Sequence, residues 1–300
     1  MFAASATLYS IMRKMEWADE HGTCSVEIGE AVSVLMSVAA PDDLCQGVNE
    51  PELEGHKSRI GKVGEETNVS AERLNRNMKN AGVTLPGDPP KAKTKKGKKS
   101  AWWDLEGCNA GKFPYQSHHL IPKMHLPKHA VCQFLAVKAG KQKWKLEKST
   151  NYDTDSELNG LALPFASNTY QYKTAKNPAA KQDVCNEMMK ITQRQLHQGS
   201  HTNTDYLEQA GLHAKEKTGY LGRVDELLNV VNAQALFHYR YCTPCKKEPS
   251  DPQKIRPLER VVEATYEVSA IIATMIVERN IFVSKRAALY VASGGLGGLG

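Results

Sequence analysis

Near the amino end, apolar residues recur at helical spacing, at Leu8, Ile11, Met12 and Met15, and again within Val26 to Met36 at Ile28, Val32, Val34 and Leu35. Ser70-Ala71-Glu72-Arg73 ahead of Leu74 has the form of a helix start, with Asn68 or Ser70 as its cap, and Gly82 has the form of its stop. Helices are thus expected from residue 1 to about 85. The pattern then changes. Phe113 to Leu120 suits a short strand or extended loop, Pro122 and Pro127 prevent a long helix, and residues 128 to 138 predict a helix with Val131, Phe134, Leu135 and Val137 inward. Tyr152 to Asn159 is polar and turn-prone, ahead of the short apolar run Leu161 to Phe165. Lys181 to Leu196 predicts a helix, with Val184, Met188, Ile191 and Leu196 at near-helical intervals, that delivers His197 and His201 at its end. Tyr220 to Tyr239 is amphipathic, Thr243 to Pro257 is polar and broken by proline, and Leu258 to Arg279 is a long, mainly apolar helix. Gly294 to Gly300 is almost pure Gly and Leu and is expected to fray.

These elements predict an α+β chain, mainly helical, in four parts: an amino-terminal helical region over 1–90, a linker over 91–100, a compact core over 101–210 and a carboxy-terminal helical region over 211–300. The first carries no cluster of catalytic residue types and is assigned to delivery or partner binding. With 300 residues the chain can bury a real core. The longest apolar stretch, Val268 to Val277, is bounded by Glu267, Glu278 and Arg279 and falls well short of the roughly 20 residues needed to span a bilayer. No membrane segment is expected. Met1 to Trp17 lacks the basic start and small-residue cleavage site of a secretory signal.

Charge changes the picture in one place. The net charge of +6 is mild, but Lys91, Lys93, Lys95, Lys96, Lys98 and Lys99 fall within nine residues. Such a run favours phosphate backbones without sequence specificity. Equally, Pro86, Gly87, Pro89, Pro90 and Gly97 suit a solvated linker. The seven cysteines, an odd number, do not form a disulfide pattern and fit a reducing compartment. Cys242-Thr243-Pro244-Cys245 would supply half of a zinc site, with His238 as a third ligand, but no second CxxC completes it.

The candidate chemistry lies in three short stretches: Ser117-His118-His119-Leu120-Ile121-Pro122, Glu157-Leu158-Asn159-Gly160-Leu161-Ala162-Leu163-Pro164, and Leu196-His197-Gln198-Gly199-Ser200-His201. Imidazole serves as a metal ligand through one nitrogen or as a proton acceptor near neutral pH. Phosphodiester hydrolysis needs both roles: a base to activate water, and a cation to neutralise the leaving oxygen. Adjacent histidines on a strand point to opposite sides, so His118 and His119 can share one centre only where the backbone twists or bulges. His197 and His201 are spaced i, i+4, as two ligands on one helical face would be, though Gly199 weakens the helix. His125 and His129, separated by Pro127, read as surface residues, and His21, His56, His213 and His238 stand alone.

The three stretches resemble the HNH/endonuclease VII nuclease superfamily, closest to its AHH-type bacterial toxin nucleases, over residues 113 to 206, with Ser117 where alanine is usual. The resemblance implies a ββα-metal fold around one divalent ion, flanked here by helical regions. It implies His118 as metal ligand, His119 as general base, Asn159 as the residue that orients the base or ligates the metal, and His197 and His201 as further metal ligands. The ion would be Mg²⁺ or Zn²⁺, with Mn²⁺ and Ni²⁺ as further candidates. Two departures stand out: the basic stretch Lys138 to Lys148 lengthens the interval before Asn159, and the tyrosine expected soon after the last histidine is displaced to Tyr206. Lys123, Lys141, Lys143 and Lys145 are candidate phosphate contacts.

The implied activity is metal-dependent hydrolysis of DNA, with RNA left open, by an antibacterial effector. Such a protein is held in the producing bacterium's cytoplasm beside an immunity protein and passed to a competitor by a secretion-system component without a signal peptide. A chain opening on Met1 suits a free-standing effector. The alternatives are a housekeeping or phage HNH endonuclease, and a non-enzymatic zinc-binding module built on His118, His197, His201 and the Cys242 pair.

Overall fold

A computed structural model describes residues 69–123, 125–135, 137–139, 143–145, 152–197, 219–241 and 259–297. The helices expected before residue 69, His201, the Cys242 pair and the 243–257 linker lie outside the described residues; position 238 falls within a described helix.

The first described element, α1, spans Val69–Asn80, with Glu72 in its first turn and Lys79 in its last, each placed to complement the helix dipole. It stops at Gly82, whose φ of +74° is the left-handed conformation glycine adopts at no steric cost. Leu74 and Met78, one helical turn apart, are fully buried and pack with Ala162.

The Lys-rich run forms structure where a linker was expected. Strands β1 (Lys91–Lys93) and β2 (Lys99–Trp103) pair as an antiparallel hairpin. Gly97, at φ +74°, makes the turn, and the backbone bonds Gly97 N to Thr94 O and Thr94 N to Lys98 O close it. In the alternating Lys91-Ala92-Lys93, Ala92 is buried while its neighbours are exposed, the period-two pattern of a half-buried strand.

At the centre, β3 (Tyr115–His119) pairs antiparallel with β6 (Gly160–Pro164), in register from Tyr115 opposite Pro164 to His119 opposite Gly160. The backbone bonds Leu120 N to Asn159 O and Phe165 N to Pro114 O extend the pairing at both ends. A long excursion joins the strands: a 3₁₀ turn at Leu126–Lys128, a four-residue helix α2 (Cys132–Leu135), a hairpin of β4 (Val137–Ala139) and β5 (Lys143–Lys145), and polar turns leading to Asn159. The helix expected over 128 to 138 is therefore confined to one turn. Val131, Phe134 and Leu135 are buried as expected, but Val137 already belongs to a strand.

After β6 come α3 (Tyr170–Thr174) and α4 (Pro178–Thr192), the latter with Pro178 at its first position and Asn177 as cap accepting from Ala180 N. Helix α4 ends at Gln193, whose φ of 56° is left-handed, so it stops short of His197. Leu196 and His197 follow outside the helix, with His197 N bonded to Pro164 O at 2.9 Å. The shared helical face expected for His197 and His201 does not extend to His197.

Helices α5 (Tyr220–Tyr241) and α6 (Glu259–Val277) pack together and over the segment that follows β3. One core runs through Leu120, Ile121, Phe134, Leu163, Val224, Leu228, Val268 and Ile272. The expected boundary near residue 210 is thus not a boundary in packing, because residues from Tyr220 onward supply most of the core beneath β3 and β6. Nor is the boundary at 90, since α1 lies on the same sheet. A further helix, α7 (Lys285–Ala292), capped by Ser284, was not anticipated. The glycine-rich end packs rather than frays as far as residue 297: Leu296 is buried, and a Cβ on Gly295 would sit 2.5 Å from the Tyr290 ring. The fold is α+β and mainly helical with small antiparallel sheets, and no described helix is long and apolar enough to cross a membrane.

Candidate active site

Strand β3 carries Gln116, Ser117, His118 and His119 to the middle of this packing. Its ladder with β6 is regular to the last residue, without a bulge, so successive side chains leave on opposite faces. The partners of the two histidines agree with that separation.

His119, 15 % exposed, places Nε2 2.9 Å from Oδ1 of Asp155, whose side chain is fully buried. An ionised carboxylate can only accept, so Nε2 carries the proton and the lone pair of the neutral ring is on Nδ1. The other oxygen of Asp155 meets Nη2 of Arg73 at 3.1 Å and Nζ of Lys123 at 3.3 Å. Burial alone would raise the Asp155 pKa, but the His119 hydrogen bond and the Lys123 and Arg73 charges outweigh it and hold the carboxyl below its ordinary value. The carboxylate is fixed from all sides. Asp155 N donates to Asp153 Oδ1, Asn77 donates to Asp155 O at 2.7 Å, and Arg73 Nη2 donates to both carboxylate oxygens of Asp153, at 2.9 and 3.2 Å. Tyr266 on α6 accepts from Asp153 N at 2.8 Å.

His118 is buried, with Nε2 2.8 Å from the hydroxyl of Tyr220 at the start of α5. That hydroxyl donates its single proton to Leu120 O at 2.7 Å, so it accepts from His118 Nε2–H and leaves the lone pair of His118 on Nδ1. Burial holds the Tyr220 phenol well above its ordinary pKa, so it stays protonated. The His197 ring lies 5.0 Å from the His118 ring, centroid to centroid, with its Nδ1 2.9 Å from Gln116 Oε1. That bond puts the His197 lone pair on Nε2. Burial, with repulsion from a charge on His119, lowers the His197 pKa to about 4, so it is neutral at pH 7. His197 therefore stands in ring contact with His118 and within electrostatic reach of His119.

As donors, His118 and His197 fit a divalent transition metal: they are a buried and a partly buried imidazole in ring contact, each oriented by a hydrogen bond from one ring nitrogen. Two imidazoles are half a coordination sphere. Among the described residues no group of three or more His, Cys, Asp or Glu is arranged to hold an ion, and the third expected ligand, His201, lies outside them.

Asn159 requires a correction. Its Oδ1 accepts from Ile121 N at 2.7 Å and from the Ser269 hydroxyl at 2.9 Å, while its Nδ2 donates to Ile121 O at 3.0 Å and Thr154 O at 2.9 Å. All four hydrogen-bonding positions of the amide are used, so it neither touches His119 nor ligates a metal. Asn159 is a positioning residue: it clamps the chain two residues beyond His119 to the chain one residue before Asp155. Lys123 also differs from expectation, since its ammonium is directed at Asp155. His125 and His129 are not simple surface residues: they bond Asp225 at 2.6 Å and Asn229 at 3.1 Å, both on α5.

The sequence reading did not find Asp155, Arg73, Tyr220 or Gln116. Asp155 carried a signal, an acidic residue four positions before Asn159 in a turn. Arg73 and Tyr220 reach the site from parts of the chain assigned to other regions, and nothing local marks them. Compared with protein-family models, curated proteins and solved structures, the chain matches none of them.

Proposed function

We propose that this protein is a metal-dependent endonuclease that hydrolyses DNA phosphodiester bonds with His119 as general base. The observation that carries the reading is the His119–Asp155 pair, a partly exposed imidazole oriented by a buried carboxylate; the preceding strand residue, His118, is in ring contact with His197, on which His119 acts electrostatically. Nδ1 of His119 would take the proton of the attacking water, and Asp155 would hold the ring in place and stabilise the imidazolium that forms. Asn159, Tyr220 and Arg73 keep these groups in position. His118 and His197 would hold the divalent ion, with His201 as the expected third ligand. When bound, that ion supplies positive charge for the leaving oxygen.

The resemblance of the three histidine and asparagine stretches to AHH-type toxin nucleases supports a narrower form of the proposal, an antibacterial effector partnered by an immunity protein. The test is plasmid cleavage by the purified chain in chelator and after adding back Mg²⁺, Mn²⁺, Ni²⁺ or Zn²⁺, beside His119→Ala. Cleavage should require the ion, and His119→Ala should lose about 10²-fold or more in rate with its fold intact. Undiminished cleavage in excess chelator, or by His119→Ala, refutes the proposal.

A further inference from the structure

The β1–β2 hairpin lies outside the histidine site and has its own chemistry. From Lys91 to Trp103 it holds six lysines and no acidic residue. All six are exposed, and the register sets Lys93 directly opposite Lys99. Like charges facing each other across a strand pair destabilise it, unless an anion comes between them and the solvent. Trp102, 37 % exposed, lies on the same hairpin, with Nζ of Lys173 from α3 4.5 Å from its ring centroid.

The hairpin is firmly attached. Trp103 bridges to Thr169, Gln171 Nε2 donates to Asp104 at 2.7 Å, and Leu105 N donates to Gln171 Oε1 at 3.0 Å. These contacts fix it to the chain that leaves β6 at Pro164, the end of the sheet away from His119. Four residue steps separate the two ends of the ladder, about 14 Å at about 3.4 Å per residue. Duplex DNA rises about 3.4 Å per base pair, so that length corresponds to about four base pairs.

From this charge, its fixed placement and its self-repulsion, we infer that the β1–β2 hairpin is a nucleic-acid backbone clamp that holds phosphates some base pairs away from the cleaved bond. The choice of ligand rests on the nuclease reading; the binding does not. An acidic polypeptide is the competing occupant, and the exposed Trp102 beside Lys173 favours nucleic acid, because an aromatic face offers a base or sugar something to rest on.

The test uses the full chain in chelator, so that nothing is cut, and measures affinity for a labelled short duplex between 50 and 200 mM salt. One variant combines Lys95→Gln, Lys96→Gln, Lys98→Gln and Lys99→Gln; a second replaces the same four lysines by arginine. Each lost phosphate contact should reduce the slope of log affinity against log salt by about 0.9, so four contacts correspond to about a 100-fold smaller loss of affinity over that range. The arginine variant should keep the slope and melt like the wild type, and the glutamine variant, relieved of the Lys93–Lys99 repulsion, should melt no lower. An unchanged slope in the glutamine variant overturns the inference. So does a poly-glutamate peptide of matched charge that displaces the duplex and loses as much affinity as DNA in the glutamine variant, because the face is then one for acidic protein. Failure of the nuclease reading would appear separately, in the plasmid assay with His119→Ala.

Discussion

Replacing Asn159 by alanine separates a structural amide from a catalytic one. The substitution removes four hydrogen bonds and leaves Ile121 N–H, Ile121 C=O and Thr154 C=O facing a site from which water is excluded. Each buried backbone group that loses its hydrogen bond costs up to about 1–3 kcal/mol. Ser269 suffers less, because its hydroxyl also has Thr265 O at 3.4 Å. Allowing for relaxation, the sum is about 3–6 kcal/mol, against a stability of about 5–15 kcal/mol for a folded domain. Urea unfolding followed by circular dichroism should therefore show a clearly lower midpoint for Asn159→Ala, and activity should fall with the loss of folded protein and the loosening of Asp155. Ser269→Ala, which removes one donor to the same amide, should cost only about 1 kcal/mol and keep the rate. Asn159→Asp tests the alternative directly. It keeps both accepted bonds but turns a carboxylate on two carbonyls, so it should destabilise as well; a metal ligand at this position would bind the ion more tightly as aspartate. An unshifted urea midpoint in Asn159→Ala together with abolished cleavage would show that the amide acts in the chemistry and that the positioning argument is wrong.

Two further predictions concern the groups around His119. Asp155→Asn keeps the shape but strips Arg73 and Lys123 of a buried charge; because Arg73 retains Asp153, the loss should fall at the low end of the about 3–5 kcal/mol typical of a broken buried pair. Its cleavage rate per folded molecule should also drop, by no more than the about 10²–10⁴ that a general base contributes, and an unaltered rate would dissolve the His119–Asp155 dyad. The metal-free protein should lose stability in mild acid. The folded His197 pKa of about 4 lies below the unfolded value of 6.5, so the unfolded chain binds a proton that the folded chain refuses. Stability from this group is complete above pH 6.5 and falls on acidification until about pH 4, by roughly 3 kcal/mol at about 1.36 kcal/mol per pKa unit. His129, partly buried and also held below its ordinary value, adds in the same direction. The depressed Asp155 contributes only lower, its stabilisation being lost as pH falls through its folded value, which lies below 3.8. Denaturation midpoints from pH 7 to 4 should fall less steeply for His197→Asn than for the wild type, and parallel curves would contradict the burial argument.

Periodicity and local chemistry determined a good part of this protein. Leu74 and Met78 face inward one turn apart on α1 because the helical repeat puts them there, and Gly82 stops that helix because a left-handed residue is needed. The strands of the central pair and the long apolar helix α6 follow from residue types and spacings within short windows. What those windows could not contain was the partner of each group. His119 meets Asp155 across 36 positions, His118 meets Tyr220 across 102, and Asp155 meets Arg73 from a helix that had been assigned to another region. Such contacts arise because buried carboxylates, amides and imidazoles must find hydrogen bonds wherever packing brings them, at any separation along the chain. The same requirement changed the meaning of Asn159, from a residue beside the chemistry to a clamp beneath it. It also made the lysine run a hairpin, since Ala92 could be buried and Gly97 could turn, while lysine composition alone had pointed equally to a linker. Sequence thus set which residues could act; packing decided which of them were oriented, by what, and which were the supports.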